Sequence, residues 1–229
     1  MAILTPIQIM HLLDRFASTC GTTYSSPKLD EAFFPIPFET YITINQVCSQ
    51  TNQNYDYWPD VVHEILPILR AAKITIIEIG DRLENVKSLA GTYDLRGTLN
   101  IKQMSYVIKN SILHVSGDSF CADIANLTDT KSCQIFGGTP AYLTAPPWQP
   151  KLVNLFSPSM SEDSSFLFSA ENKPINSIRP ESISTSIIKE VGLNLSRPLA
   201  STIAIGDKYH LPVIDIVPDH VPGPGQLAG

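Results

Sequence analysis

Gly117-Asp118-Ser119 stands where a short β-rich run, Ile112 to Val115, meets a helical pattern, Ser119 to Leu127. In that pattern Phe120, Cys121, Ile124 and Leu127 recur at helical spacing. A tight turn leading from a strand into a helix can bind an anion, because the first helical N–H groups have no carbonyl partner and the helix dipole favours negative charge. The candidate phosphate ligands are the backbone N–H groups of Ser119 and Phe120 and the Ser119 hydroxyl. The same turn also reads as an Asp or Ser N-cap, which a helix needs whether or not it binds anything. Asp94-Leu95-Arg96-Gly97-Thr98 is a loop before a second helix, Ile101 to Lys109. Arg96 is its cation, placed for a phosphate or a base face, or simply for solvent. The loop itself also reads as a turn with an N-cap at Thr98 or Asn100.

The elements that must position these residues form a repeating strand–turn–helix series. Tyr41 to Ile44 reads as a strand, Tyr57 to Ala71 as a helix with Trp58, Val61, Val62, Ile65, Leu66 and Leu69 inward. Ile74 to Ile79 is a continuous apolar run of the kind buried on both faces of a parallel sheet. Gly80-Asp81 ends it, and Leu83 to Leu89 reads as a short helix. Gln134 to Phe136 and Val153 to Phe156 supply further strands, and Pro180 opens a helix to Val191 that Gly192 caps. Before the sheet, Pro6 to Ala17 reads as an amphipathic helix that Gly21 can end, and Ser25 to Glu39 as a Pro-rich linker packed by Phe33 and Phe34. Ser157 to Pro180 reads as a polar surface loop, and Thr202 to Ile205 with Pro212 to Val217 as a β-hairpin before a Pro/Gly-rich tail. The expected fold class is α/β: a Rossmann-like parallel sheet with helices on both faces, plus a C-terminal hairpin. The expected division is 1–40 (helix and linker), 41–193 (Rossmann-like domain) and 194–229 (hairpin and tail).

DLRGTLNIKQMSYVIKNSILHVSGDSFCADIA resembles the donor-binding half of GT-B glycosyltransferases of the heptosyltransferase type, glycosyltransferase family nine. Asp94, Leu95, Gly97, Leu113, Val115, Asp118, Ser119 and Ala125 match the family's pattern, while Phe120 stands where it has glycine and Asp123 where it has histidine. LLDRFASTCG resembles the family's interdomain helix, YITINQ the first strand of its second domain, YDYWPDVVHEIL the following helix and ESISTSIIKEVGL the closing one. The resemblance covers residues 8 to 193 and only the second of two lobes. It implies a single GT-B lobe that binds a nucleoside diphosphate sugar as substrate, without a bound metal or cofactor. Gly117, Asp118 and Ser119 would lie at the phosphates, Asp94, Leu95, Arg96 and Gly97 at the base, and Gly80 and Asp81 near the ribose. Gly137, Gly138 and Thr139 match the family's G-x-T-x-P loop and could offer N–H groups; the plain reading of that loop is a tight turn needing glycine. The family's acceptor-binding lobe, which holds the catalytic base, has no counterpart here, so no catalytic residue is assigned.

Three features point the other way. Related enzymes place a Lys or Arg after the first strand to neutralise the diphosphate, but Asn45 to Asn54 has none. A benzyl group at Phe120 could block phosphate from the backbone. Asp123 would face it with the wrong charge. The alternative expectation is therefore a degenerate glycosyltransferase-like module with a structural or protein-interaction role, its hairpin pairing a partner's edge strand.

Charge and cysteine usage narrow the partners. A net charge of −6 with no basic run argues against nucleic acid. Cys20, Cys48, Cys121 and Cys133 form no CxxC pair and read as reduced thiols of a cytoplasmic-type protein. His11, Asp14 and Arg15 interrupt the apolar N-terminus, so no signal peptide or membrane span is expected. The histidines show no metal-ligand spacing. Partners expected from this reading are a nucleotide-sugar donor and either an acceptor-binding lobe or a protein partner.

Overall fold

The computed structural model describes residues 12–25, 28–48, 53–83, 86–137, 152–156, 173–195 and 199. Six parallel strands form one sheet: β1 (Tyr41–Asn45), β2 (Thr75–Glu78), β3 (Tyr93–Asp94), β4 (His114–Gly117), β5 (Ser132–Phe136) and β6 (Leu152–Phe156). Their order is β3-β2-β1-β4-β5-β6. The register runs Tyr41 opposite Thr75 on one side of β1 and Thr43 opposite His114 on the other. This is the 3-2-1-4-5-6 order of dinucleotide-binding folds, in which the chain reverses direction across the sheet between β1 and β4.

Alternation along the strands splits the apolar residues between two faces. Ile42, Ile44, Ile76, Val115, Cys133 and Ile135 meet helix α2 (Trp58–Ala71) and helix α5 (Pro180–Glu190) on one face. Tyr41, Ile77 and Ile79 meet α3 (Ile101–Lys109) and α4 (Phe120–Leu127) on the other. In α2 the buried residues are Trp58, Val61, Val62, Ile65 and Leu69, one helical stripe. Each such side chain contributes about 1.5–3 kcal/mol by leaving water. Asn100 opens α3 with a reciprocal capping box to Gln103. The α/β class with helices on both faces is thus observed. The hairpin expected over 202–217 lies outside the described residues.

Several local expectations are corrected. Helix α1 (Leu12–Cys20) runs three residues past Ala17 before Gly21, at φ +63, ends it. Leu83 and residues 86–89 are irregular rather than helical, because their backbone serves a buried polar cluster described below. In the linker, Phe33 stays 71% exposed and touches Tyr106 only edge-on, while Phe34, Ile36 and Phe38 pack on the core. The end of the supposed surface loop is a buried 3-10 turn, Pro174–Ser177. It is held in by Lys173 pairing with Asp56, by Asn176 Nδ2 donating to Asp56 at 2.7 Å, and by Tyr55 Oη donating to the Ile178 carbonyl at 2.6 Å.

His114 is fully buried in β4, its Nδ1 3.0 Å from Thr43 Oγ1. Burial pushes its pKa from 6.5 down to about 3. Between those values the unfolded chain takes up a proton that the folded chain refuses, so the stability is complete above pH 6.5 and is lost as pH falls. From pH 7.5 to 4.5 this group alone should cost about 2–3 kcal/mol of unfolding free energy. Urea unfolding at the two pH values checks this: His114→Asn should show a clearly smaller difference than the parent chain.

Candidate functional site

A cleft of about 940 Å³ opens beyond the carboxyl ends of β1 and β2. In open parallel sheets this is the place where ligands bind, outside the carboxyl ends of the strands. Its floor comes from Asn45, the last residue of β1, and from residues that follow β1 and β2, namely Cys48, Gly80 and Asp81. One wall is the start of α3, Asn100 to Lys102 with Met104, and the other is the start of α4, Ser119 to Cys121. Two helix N-termini therefore border one space.

Of the candidates drawn from sequence, the cleft brings together Gly80, Asp81 and Ser119. Gly80 has φ +104, and its carbonyl accepts from the Gly97 N–H at 2.8 Å. A Cβ there would fall 2.0 Å from Asn45 Nδ2, so only glycine leaves room for Asn45. Ser119 is the N-cap of α4: its Oγ accepts from the Ala122 N–H at 3.3 Å. The capping reading of this residue is thus observed, and its O–H remains available to donate. The N–H groups of Phe120 and Cys121 have no partner within the helix. Phe120 is 55% exposed and lines the cleft.

Gly117 and Asp118 are not on the cleft lining. A Cβ on Gly117 would come 2.6 Å from Cys48 Sγ and 3.2 Å from the Gln53 carbonyl, so this glycine permits a close crossing of the loop after β1. Gly137 plays the same part elsewhere, its Cα facing Ile175 so closely that a Cβ would meet it at 2.2 Å. Gly138 and Thr139 lie outside the described residues.

Asp94, Leu95, Arg96 and Gly97 do not line the cleft. Arg96 is neither solvated nor free for a ligand: it is 4% exposed. Its Nε lies 2.9 Å from Asp94 Oδ1 and 3.1 Å from Glu78 Oε2, and its terminal nitrogens donate to Asp94 and to the Val86 and Lys87 carbonyls. Hydrogen bonding from Arg96 holds the Asp94 carboxyl below its usual range. Glu78, fully buried, also accepts from Gln46 Nε2, Ser88 Oγ, the Leu89 N–H and Thr92 Oγ1. Leu95 is buried in the core and Gly97 turns against Arg82. This cluster fastens the segment between β2 and β3 and so shapes the cleft from behind.

Among the described residues, the lining carries one carboxylate, Asp81, and one ammonium, Lys102. Outside it, desolvation followed by the Asp118 carboxylate pushes Asp123 up to about 6. Burial, then Asp118, pushes the Cys48 thiol up to about 12; burial, then Asp81 and Asp123, does the same for Cys121. Both stay protonated at neutral pH and are poor nucleophiles. The cation at the mouth is Lys102, in the first turn of α3, which sequence reasoning passed over in favour of Arg96. It is 59% exposed and 3.0 Å from Asp30. Among the described residues no group of three or more His, Cys, Asp or Glu is arranged to hold a metal, and no helix is long and apolar enough to cross a membrane.

Asn45 is the residue that sequence reading undervalued. Read locally it is one residue of the cation-free stretch 45–54, yet it ends β1 beside the topological switch, which is the signal that finds it.

No protein-family model matches the sequence, and no curated protein matches it. Solved structures match its fold. The glycosyl transferase of family 9 from Veillonella parvula superposes with a TM-score of 0.54 at 11% identity, over 78% of this chain and 50% of that one. The E. coli ADP-heptose LPS heptosyltransferase II gives 0.52 at 10% identity, over 79% and 51%. E. coli heptosyltransferase WaaC with ADP gives 0.52 at 13%, over 77% and 54%.

Proposed function

We propose that this chain, which has the fold of one half of a heptosyltransferase-like GT-B glycosyltransferase and spans about half the length of the structures it matches, is the lobe that binds a nucleoside diphosphate sugar, with the cleft beyond the ends of β1 and β2 as its donor pocket. The observation that carries this reading is the position of the cleft: it lies at the strand-order reversal, bordered by the N-termini of α3 and α4. Donor activation would come from N–H groups and helix dipoles acting on the leaving diphosphate. Sugar transfer would need an acceptor-binding lobe carrying the catalytic base.

Thermal unfolding against a panel of nucleoside diphosphates and their sugar conjugates tests the proposal. A ligand at about 100 times its dissociation constant adds about 2.7 kcal/mol, or roughly 5–10 °C in midpoint for a chain of this size. A shift confined to one base supports the donor lobe and names the nucleotide. No shift with any of them contradicts it and favours a second reading, a glycosyltransferase-like module that acts through protein contacts. Phe120, exposed on the cleft lining as the first residue of α4, and the carboxylate Asp81 on the same lining are the observations on that side. A related outcome concerns the two departures from the family pattern. Phe120→Gly combined with Asp123→His should tighten nucleoside diphosphate binding by about tenfold, through one regained charge-assisted bond and a relieved repulsion. Calorimetric titration of both chains checks it; unchanged affinity would rule out a donor pocket worn by these two substitutions.

A further inference from the structure

Lys102 stands in the first turn of α3, where a lysine works against its helix. A helix N-terminus carries partial positive charge, and this turn holds no carboxylate to balance it. The N–H groups of Ile101 and Lys102 have no carbonyl partner within the helix. Both residues line the cleft. A local rule broken at a cleft marks a residue that serves something besides its helix.

The balancing charge comes from far along the chain. Asp30, in the linker, places Oδ2 3.0 Å from Lys102 Nζ. The linker is fastened beside the lysine by the Ala32 N–H, which donates to the Lys102 carbonyl at 3.0 Å. The two side chains are 59% and 81% exposed. A pair so open to water is held weakly, and a more highly charged acceptor can displace the carboxylate. Among the described residues lining the cleft no other Lys or Arg appears. Residues 45–54 hold none, and Arg96 is buried against Asp94 and Glu78. The first turn of α4 carries a carboxylate, Asp123, instead. Lys109 pairs with Glu31 of the same linker at the other end of α3. There a lysine suits the helix dipole, and Lys109 is not on the lining.

Resting on the reading of the cleft as a donor pocket, we infer that Lys102 is the cation that pairs with the donor's diphosphate, and that Asp30 competes with the ligand for it. A ligand phosphate draws Nζ away from Asp30, beside the N–H groups of the same helical turn. Affinity for the diphosphate is therefore set in part by a linker residue outside the pocket.

The test is calorimetric titration of the full chain with ADP, GDP, UDP and CDP and with the matching nucleosides, at low and moderate salt. The parent is compared with Lys102→Gln, Asp30→Asn and Lys109→Gln; Lys102, Asp30 and Lys109 all carry exposed side chains. For the base that binds, Lys102→Gln should weaken diphosphate binding about tenfold, as one lost charge-assisted bond, and leave nucleoside binding unchanged. It should also flatten the fall of diphosphate affinity with salt. Asp30→Asn should tighten diphosphate binding about two- to fivefold at low salt. Lys109→Gln should alter neither ligand. A Lys102→Gln chain that keeps the parent's diphosphate-to-nucleoside affinity ratio overturns the inference and leaves the donor-pocket reading intact. An equal loss from Lys109→Gln overturns it too, since net charge alone would then explain the effect. Diphosphate binding that Asp30→Asn fails to tighten overturns the competing role of Asp30. Absence of binding by the parent chain overturns the donor-pocket reading and this inference with it.

Discussion

Glu78→Ala should lower the unfolding free energy by about 3–5 kcal/mol, the cost of removing one partner of a buried ion pair. Glu78 is fully buried and receives five groups: the Arg96 guanidinium at 3.1 Å, Gln46 Nε2 at 2.9 Å, Ser88 Oγ at 3.0 Å, the Leu89 N–H at 2.5 Å and Thr92 Oγ1 at 2.5 Å. Alanine would leave Arg96 to Asp94 and two carbonyls, and strand buried donors that now have a charged acceptor. Glu78→Gln keeps the shape and one accepting oxygen, so its loss should be smaller. Urea unfolding of the three chains measures the difference, with the midpoint temperature falling roughly 10 °C for the alanine variant. A loss below about 1 kcal/mol would mean that the cluster is dispensable.

The second large effect belongs to Gly80→Ala. The residue sits at φ +104, where an alanine is strained by roughly 1–3 kcal/mol. The new Cβ would also fall 2.0 Å from Asn45 Nδ2 and 3.2 Å from its Cγ. Asn45 cannot swing aside freely, since it is buried and bonded to the Ile79 carbonyl. A combined loss of about 2–4 kcal/mol is expected, together with at least tenfold weaker ligand binding in the cleft. Gly192 is the comparison: its φ is +80, but nothing lies within 4 Å of a Cβ placed there. Gly192→Ala should therefore cost only the backbone part and leave binding untouched. Equal losses at the two glycines would contradict the close approach to Asn45.

The sheet was legible because its strands are apolar β-branched runs and its helices carry one buried stripe each. Ile74 to Ile79 announced a strand covered on both faces, and Trp58 to Leu69 a helix packed on one. What escaped was polar and long-range. Nothing local marks Glu78 as buried, or pairs it with Arg96 eighteen residues on; read locally, Arg96 was a loop cation. The two-residue β3 is too short for any periodicity. Lys173 and Asn176 sit in a polar stretch, and only the fold reveals that Asp56 draws them inward.

The site divides the same way. Turn chemistry identified Ser119 and Gly80 because strand-end glycines and helix caps have local signatures. Asn45 and Lys102 join them only through the strand order, which places the ends of β1 and β2 and the starts of α3 and α4 around one space. Asp94 to Gly97 carried the strongest local motif, yet their side chains are spent on structure.

The central claim is that the cleft beyond the ends of β1 and β2, bordered by the starts of α3 and α4, is where a ligand binds. Backbone amide NMR, titrating the chain with the nucleoside or nucleoside diphosphate sugar that most raises its unfolding midpoint, tests this directly. The expected result is a saturable set of shifts centred on the N–H groups of Asn45, Gly80, Phe120 and Cys121, with the 173–178 turn unmoved. Shifts centred on that turn or on the far ends of the strands, or none at millimolar ligand, would contradict it.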